Sequence, residues 1–182
     1  MHKQAIIILY VIAIAFIIAI TGDIYAGKET KTGTTKQSAA VYSTWRELET
    51  DKCASAWLIR RFVNANAQFK FFPKGTFIKE GIPFDTPDSD LKRDARMTVF
   101  GKVMQKYTIK NAVLDDMNRI IWDIEVNSWD KKVTPEAIGV DSVIQGLILM
   151  TKSEEECIEK SFLIFDALYA HFKSRRDLGA QK

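Results

Sequence analysis

Read from its N-terminus, the chain passes through three regimes of apolar and polar positions. Residues 5–20 (AIIILYVIAIAFIIAI) form an uncharged apolar block. Residues 27–40 (GKETKTGTTKQSAA) are polar and follow neither the helical nor the strand period, the pattern of a flexible linker. From about Tyr42 onward apolar residues return at regular spacing, with no second shift in composition and no internal repeat. That stretch of about 135 residues reads as one domain, enough to bury roughly two-thirds of its unfolded surface. The expected division is a leader over 1–26, a linker over 27–43 and a folded domain over 44–178.

Inside the domain, Thr50 or Asp51 offers an N-cap for a helix reaching about Val63. Ala54, Trp57, Leu58, Arg61 and Phe62 share one stripe, and Cys53, Ala56, Ile59 and Val63 fill much of the rest. A helix apolar on nearly all sides is a buried one. Ala67–Phe72 alternates and is aromatic, which predicts a strand. Residues 73–90 hold three prolines and two glycines and read as loop, with a short strand at 75–79. Helices are predicted over 97–107, over 111–125 (Val113, Met117, Ile120, Ile121, Ile124), and after the Thr134–Pro135 N-cap and first-turn proline (Val140, Val143, Ile144, Leu147, Ile148). Ser153 with Glu156 forms a capping box before a last helix striped by Ile158, Phe162, Phe165, Tyr169 and Phe172. The fold class is α+β, predominantly α-helical, with a small β element.

The leader changes where this domain is placed. His2 and Lys3 precede the apolar block, and Ile24 and Ala26 stand at −3 and −1 of a cleavage site before Gly27. The block exceeds the usual signal core and falls short of the roughly 18–20 apolar residues of a spanning helix. It therefore reads as a signal peptide or an uncleaved membrane anchor. Either places the domain outside the cytoplasm, in a periplasmic or other extracytoplasmic setting, with membrane contact only through the N-terminal segment.

Charge narrows the classes further. The 26 basic and 23 acidic residues leave a net charge of +3, with no clustered basic face, so nucleic acid is not an expected partner. Two cysteines, Cys53 and Cys157, allow one bridge by count but no disulfide framework or paired C-x-x-C, and two histidines cannot build a histidine-rich metal centre. No glycine-rich phosphate loop, nucleophile elbow or H-E-x-x-H motif is present, and no cofactor is implied.

The first helix carries the chemistry that remains. Arg60 and Arg61 are adjacent on a surface that otherwise reads as buried, and a desolvated guanidinium must meet a carboxylate or an anion. Arg61, inside the apolar stripe, is expected to pair with Asp85, Asp88, Asp115, Asp116, Asp123 or Glu125; Arg60 is freer to face a ligand. Cys53 has Lys52 beside it but reads as a small core residue, as does Cys157. His171 is expected near a helix C-terminus, where it favours the dipole. Trp57, Trp122 and Trp129 read as core anchors. Asp116 and Asp123, seven apart, share a face that is either solvated, ion-paired or open to a cation.

The run Asp51–Phe62 (DKCASAWLIRRF), followed by AQFKFF and Pro73, resembles the signature of the chromate-resistance family, the C-terminal domain of ChrB-type proteins. Weaker echoes follow at Phe84–Asp85, Trp122–Glu125, Gly139–Ser142 and Phe165–Ala170, so the likeness spans roughly Leu48 to Arg175. It implies a role in chromate resistance, as a regulator or sensor accompanying chromate efflux, with chromate or a related oxyanion as ligand and a chromate transporter or envelope protein as partner. Lys52, Arg60 and Arg93 would be the oxyanion donors, since a tetrahedral dianion suits arginines. Arg61, Asp85 and Asp123 would be structural ion pairs, and no catalytic residue is assigned. The family pattern places histidines where this chain has Glu49, Arg93 and Trp122, so no metal site is carried over. Two other readings stay open: a degenerate member serving as an envelope protein-interaction module, and a thiol-dependent (Cys53) or metal-dependent chromate-detoxifying enzyme.

Overall fold

The computed structural model of the protein describes residues 39–127 and 129–180. The leader and linker residues 27–38, with the expectations attached to them, lie outside the described residues; the last three residues assigned to the linker, 41–43, belong to the first strand. Strand β1 (Val41–Trp45) comes first. Helix α1 (Thr50–Leu58) continues into a π-helical turn, Ile59–Val63, and strands β2 (Gln68–Phe72) and β3 (Ile82–Pro83) follow. Helices α2 (Val99–Lys106), α3 (Ala112–Glu125), α4 (Ala137–Met150) and α5 (Glu154–Gly179) complete the domain, an α+β fold that is mainly helical.

The three strands form one parallel sheet in the order β2-β1-β3. Its register runs from Val41 opposite Gln68 to Trp45 opposite Phe72, and Tyr42 faces Ile82. A parallel pair needs a crossover, and α1 supplies the one between β1 and β2. β1 is absent from the pattern-based expectation because VYSTW lies against the polar linker and is buried as the central strand, so it shows no solvent-facing alternation. The third strand forms at Ile82–Pro83 rather than at 75–79, for a local steric reason. Gly81 has φ of 78°, and a Cβ there would lie 2.7 Å from both the Val41 carbonyl oxygen and the Ser43 hydroxyl. Only glycine lets the chain run this close to β1.

Every residue of α1 is buried, as the apolar pattern predicts. Its N-cap is Glu49, one residue earlier than expected. The π-helical turn after it is closed by the Asn64 amide donating to the Ile59 carbonyl at 2.8 Å. This wider turn breaks the 3.6-residue period on which the stripe was drawn. Arg61 consequently leaves the buried face, with 42% of its side chain exposed.

Asn111 caps α3, its side-chain oxygen accepting from the Val113 amide at 2.9 Å, and Thr98 caps α2 by accepting from the Gly101 amide at 2.8 Å. Half of the Ser153 box forms, the Glu156 amide donating to the Ser153 hydroxyl at 3.2 Å; the Glu156 carboxylate accepts from the Lys152 amide at 2.9 Å, one residue before the cap. α4 starts at Ala137, later than expected. The reason is that Thr134 is turned toward Asp123, to which both its amide and its hydroxyl donate at 2.7 Å. α5 runs on to Gly179, so His171 is an exposed mid-helix residue rather than a C-terminal one.

The core centres on Trp57, 1% exposed, whose ring lies 5.5 Å from Phe62, 6.4 Å from Phe100, 6.1 Å from Phe165 and 6.0 Å from Tyr169. Its indole nitrogen donates to Asp166 at 2.7 Å. Trp122 is half-buried and Trp129 is 96% exposed, so of the three tryptophans only Trp57 anchors the core fully. In α4, Ile144 and Leu147 are buried, whereas Val143 is exposed together with Ile138, Leu149 and Met150. Among the described residues no helix is long and apolar enough to cross a membrane.

Candidate functional site

At the N-terminal end of α1 the chain gathers charged side chains from four separate segments. Lys52 is 3% exposed; its ammonium donates to the carbonyl of Trp45 at 3.0 Å and to that of Glu47, and it lies 3.4 Å from the Asp85 carboxylate. Asp85 holds a left-handed backbone conformation, φ 51°, which an aspartate tolerates better than most side chains. Its amide donates to the Leu91 carbonyl at 2.7 Å, which fixes the loop that brings it here. Arg93, from the segment before α2, forks between Glu49 at 3.1 Å and Glu125 at 2.5 Å. The other oxygen of Glu125 accepts the Asp51 amide at 3.1 Å.

Asp51 ties the cluster to the core. Fully buried, it accepts from the amides of Val99 at 2.6 Å and Phe100 at 2.9 Å, the first two residues of α2, and from the Ser55 hydroxyl at 3.1 Å. One carboxylate in the first turn of α1 thus caps a second helix. Burial pushes this carboxyl up to about 7, against the pull of those amide donors. Glu49 is also raised to about 7, chiefly by burial and then by the charges of Asp85 and Glu125, with Arg93 and Lys52 partly opposing. Burial works against the Arg93 charge, but Glu49 and Glu125 more than restore it, and the guanidinium titrates above its ordinary range.

Beside the cluster an open cleft of about 370 Å³ is lined by Asp85, Thr86, Pro87, Lys92 and Arg93. Lys92 donates to the Pro87 carbonyl at 2.7 Å. The buried Thr86 hydroxyl has no hydrogen-bond partner among the described residues. The cleft therefore presents two adjacent cations and one carboxylate already faced by Lys52, with the Thr86 hydroxyl closed off from it.

The residues expected to hold an oxyanion are divided between two places. Lys52 and Arg93 belong to this cluster. Arg60, two turns further along the helix, pairs with Glu159 at 3.1 Å, and its guanidinium lies 5.5 Å from the Phe69 ring and 5.6 Å from that of Phe162. Arg61 does pair with a carboxylate, but its partner is Asp166, at 2.8 and 3.0 Å, which was not among the acids expected. Only a fold that packs α5 against the π-helical turn brings them together. Asp85 is ion-paired, to Lys52. Asp123 is not: it accepts from Asn127 at 2.7 Å, from the amides of Val133 and Thr134, and from the Thr134 hydroxyl. Although its burial acts to raise it, these donors bring its carboxyl down to about 2.

Asp116 is separated from Asp123 by its own pairing with Arg176, at 2.7 and 2.8 Å. Among the described residues no group of three His, Cys, Asp or Glu side chains is placed to hold a metal ion. The acids at the end of α1 turn to Lys52 and Arg93 instead. Cys53 is fully buried and its thiol is pushed up, first by its contact with Cys157 and then by burial. That setting opposes attack on an external oxyanion. Thr86 and Lys92 line the candidate cleft and were not singled out from the sequence, because both lie in a loop with no period and no motif.

These features define a class: a mainly helical α+β domain organised around a buried capping carboxylate and an ion-pair cluster beside an open cationic cleft. The chain belongs to the family described as ChrB, C-terminal domain, which it matches over residues 42–172, and so to the chromate-resistance group. Glu49 and Arg93, two of the three positions at which the resemblance implies histidines, are in direct contact here. No curated protein and no solved structure matches the chain.

Proposed function

We propose that this chain is an exported, non-enzymatic domain of the chromate-resistance type that binds a tetrahedral oxyanion in the cleft of Asp85, Thr86, Lys92 and Arg93 and accompanies chromate efflux. The observation that carries the reading is the cleft itself. Lys92 and Arg93 line it side by side. A dianion with four acceptor oxygens complements two adjacent cations. Lys52 holds Asp85, which limits the repulsion that carboxylate would offer. Arg60, bound to Glu159, has no part in it.

The same geometry makes binding pH-dependent. Arg93 is shared with Glu49 and Glu125, and an incoming anion competes with both. Glu49 takes up a proton as pH falls through about 7, which frees part of the guanidinium and removes one negative charge. Calorimetric titration with sulfate, which stays a dianion across the range, is expected to show affinity rising roughly three- to tenfold from pH 8 to pH 6, and chromate is expected to bind at pH 8, where it too is a dianion. Glu49→Gln is expected to bind at pH 8 as the parent binds at pH 6, and Arg93→Ala to lose binding. No binding of either anion between pH 6 and 8, or binding unaltered in Arg93→Ala, would overturn the proposal.

One observation favours a second reading, that of a protein-interaction module. α4 exposes Ile138, Val143, Leu149 and Met150, and its only charged residue, Asp141, is occupied by the Thr50 hydroxyl at 2.8 Å. On that reading Leu149→Glu abolishes capture of an envelope partner while leaving thermal stability unchanged. Capture that survives the substitution removes it.

A further inference from the structure

The chain's two cysteines stand 104 positions apart (157 − 53) yet meet in the core. Cys53 is on α1 and Cys157 in the first turns of α5; the two helices pack against each other, and both residues are 0% exposed. Contact with Cys157 is the largest influence on the Cys53 thiol, and contact with Cys53 the largest on the Cys157 thiol. Both are free thiols in this structure.

We propose that Cys53 and Cys157 are a disulfide-forming pair that covalently ties the first helix of the domain to the last. The reaction is thiol–disulfide exchange with a disulfide oxidant, either a small-molecule disulfide or a disulfide-bonded oxidoreductase. One cysteine thiolate attacks a sulfur of the oxidant, expelling one oxidant thiolate and leaving a mixed disulfide. The second cysteine loses its proton and attacks the protein sulfur of that intermediate, expelling the other oxidant thiolate. Two cysteine thiols become one disulfide, and one oxidant disulfide becomes two thiols.

Burial sets when this happens. Neither sulfur is exposed in the folded domain, so exchange takes place while α5 is detached from α1, and docking of the helices then seals the bond. The pair is therefore a staple made during folding in an oxidising compartment, not a catalytic dithiol. It closes a loop of roughly 100 residues, among the lengths at which a cross-link most restricts the unfolded chain. The inference stands on the packing of α1 and α5 and on the exported setting proposed above, and is independent of the oxyanion reading.

The test uses the full-length protein in mild detergent, unfolded and refolded either with oxidised glutathione or with excess reductant. Free thiols are then alkylated in denaturant and the peptides mapped without reduction. After oxidative refolding the expected result is a monomer with both thiols protected, one cross-linked peptide pair containing Cys53 and Cys157, and a thermal midpoint roughly 5–15 °C above the reduced protein. Full alkylation of both cysteines after oxidative refolding, an intermolecular or glutathione-mixed disulfide as the sole product, or an oxidised form melting no higher than the reduced one would each overturn it. The comparison lies within one sequence, so no variant has to fold.

Discussion

Replacing Asp51 by alanine is expected to destabilise the domain by about 3 kcal/mol, lowering its melting temperature by roughly 10 °C. The carboxylate is fully buried and takes the first two amides of α2, at 2.6 and 2.9 Å, besides the Ser55 hydroxyl. Alanine leaves all three donors in the interior without a partner, at a cost of about 1–3 kcal/mol for each such group, reduced where the structure relaxes or water enters. Asparagine keeps one acceptor but turns its amide hydrogens toward the second N–H, and is expected to recover about half of the loss.

Asp51 also gives the domain a pH signature whose sign follows from its burial. Its carboxyl is raised to about 7, so between its ordinary value near 3.8 and about 7 the folded state binds more protons than the unfolded one. Its stabilising contribution is complete below that window and is lost as pH rises through it. Glu49, raised in the same direction, acts with the same sign. The parent protein is therefore expected to lose stability from pH 5 to pH 8, and Asp51→Asn to show a shallower slope. Urea titrations at pH 5, 6, 7 and 8 measure both. A loss under about 1 kcal/mol for Asp51→Ala, or parallel pH slopes, would show that the capping role is wrong.

Trp57→Ala carries the second large effect, an expected loss of about 4 kcal/mol. The indole is 1% exposed and joins α1 to α2 through Phe100 and to α5 through Phe165 and Tyr169. Its removal opens a cavity at the meeting point of three helices and takes one donor from Asp166, which still keeps Arg61. Trp57→Phe fills most of that volume and loses only the hydrogen bond, so about 1 kcal/mol is expected. Denaturant midpoints for the two variants separate packing from hydrogen bonding. Equal losses for both would mean that the bond to Asp166, not the aromatic cluster, carries the stabilisation.

The two predictions rest on residues that were legible to different degrees. Trp57 stood out because α1 is apolar all round, and such a helix is buried wherever it folds. Asp51 was visible as a capping residue for its own helix, but not as the cap of another 48 positions away, since nothing local specifies that the amides of Val99 and Phe100 arrive there. Arg61 shows the reverse case. A regular helical period placed it in the core, and a single π-helical turn, unannounced by composition, moved it to the surface and onto Asp166. β1 was hidden because a central strand beside a polar linker carries no alternation to read.

By itself the sequence determined the α+β class, the buried first helix, the last three helices and the Ser153 cap. It also determined membership of the ChrB C-terminal-domain family, carried by the run Asp51–Phe62. These are properties of short windows, where periodicity, capping and motif reside. Tertiary structure alone decided which charges meet: Lys52 with Asp85, Arg93 with Glu49 and Glu125, and Arg60 apart from both. It also decided that Cys53 and Cys157 touch. The reason is physical. Coulombic and hydrogen-bond energies depend on distance and burial in space, and chain separation says nothing of either until the helices have packed.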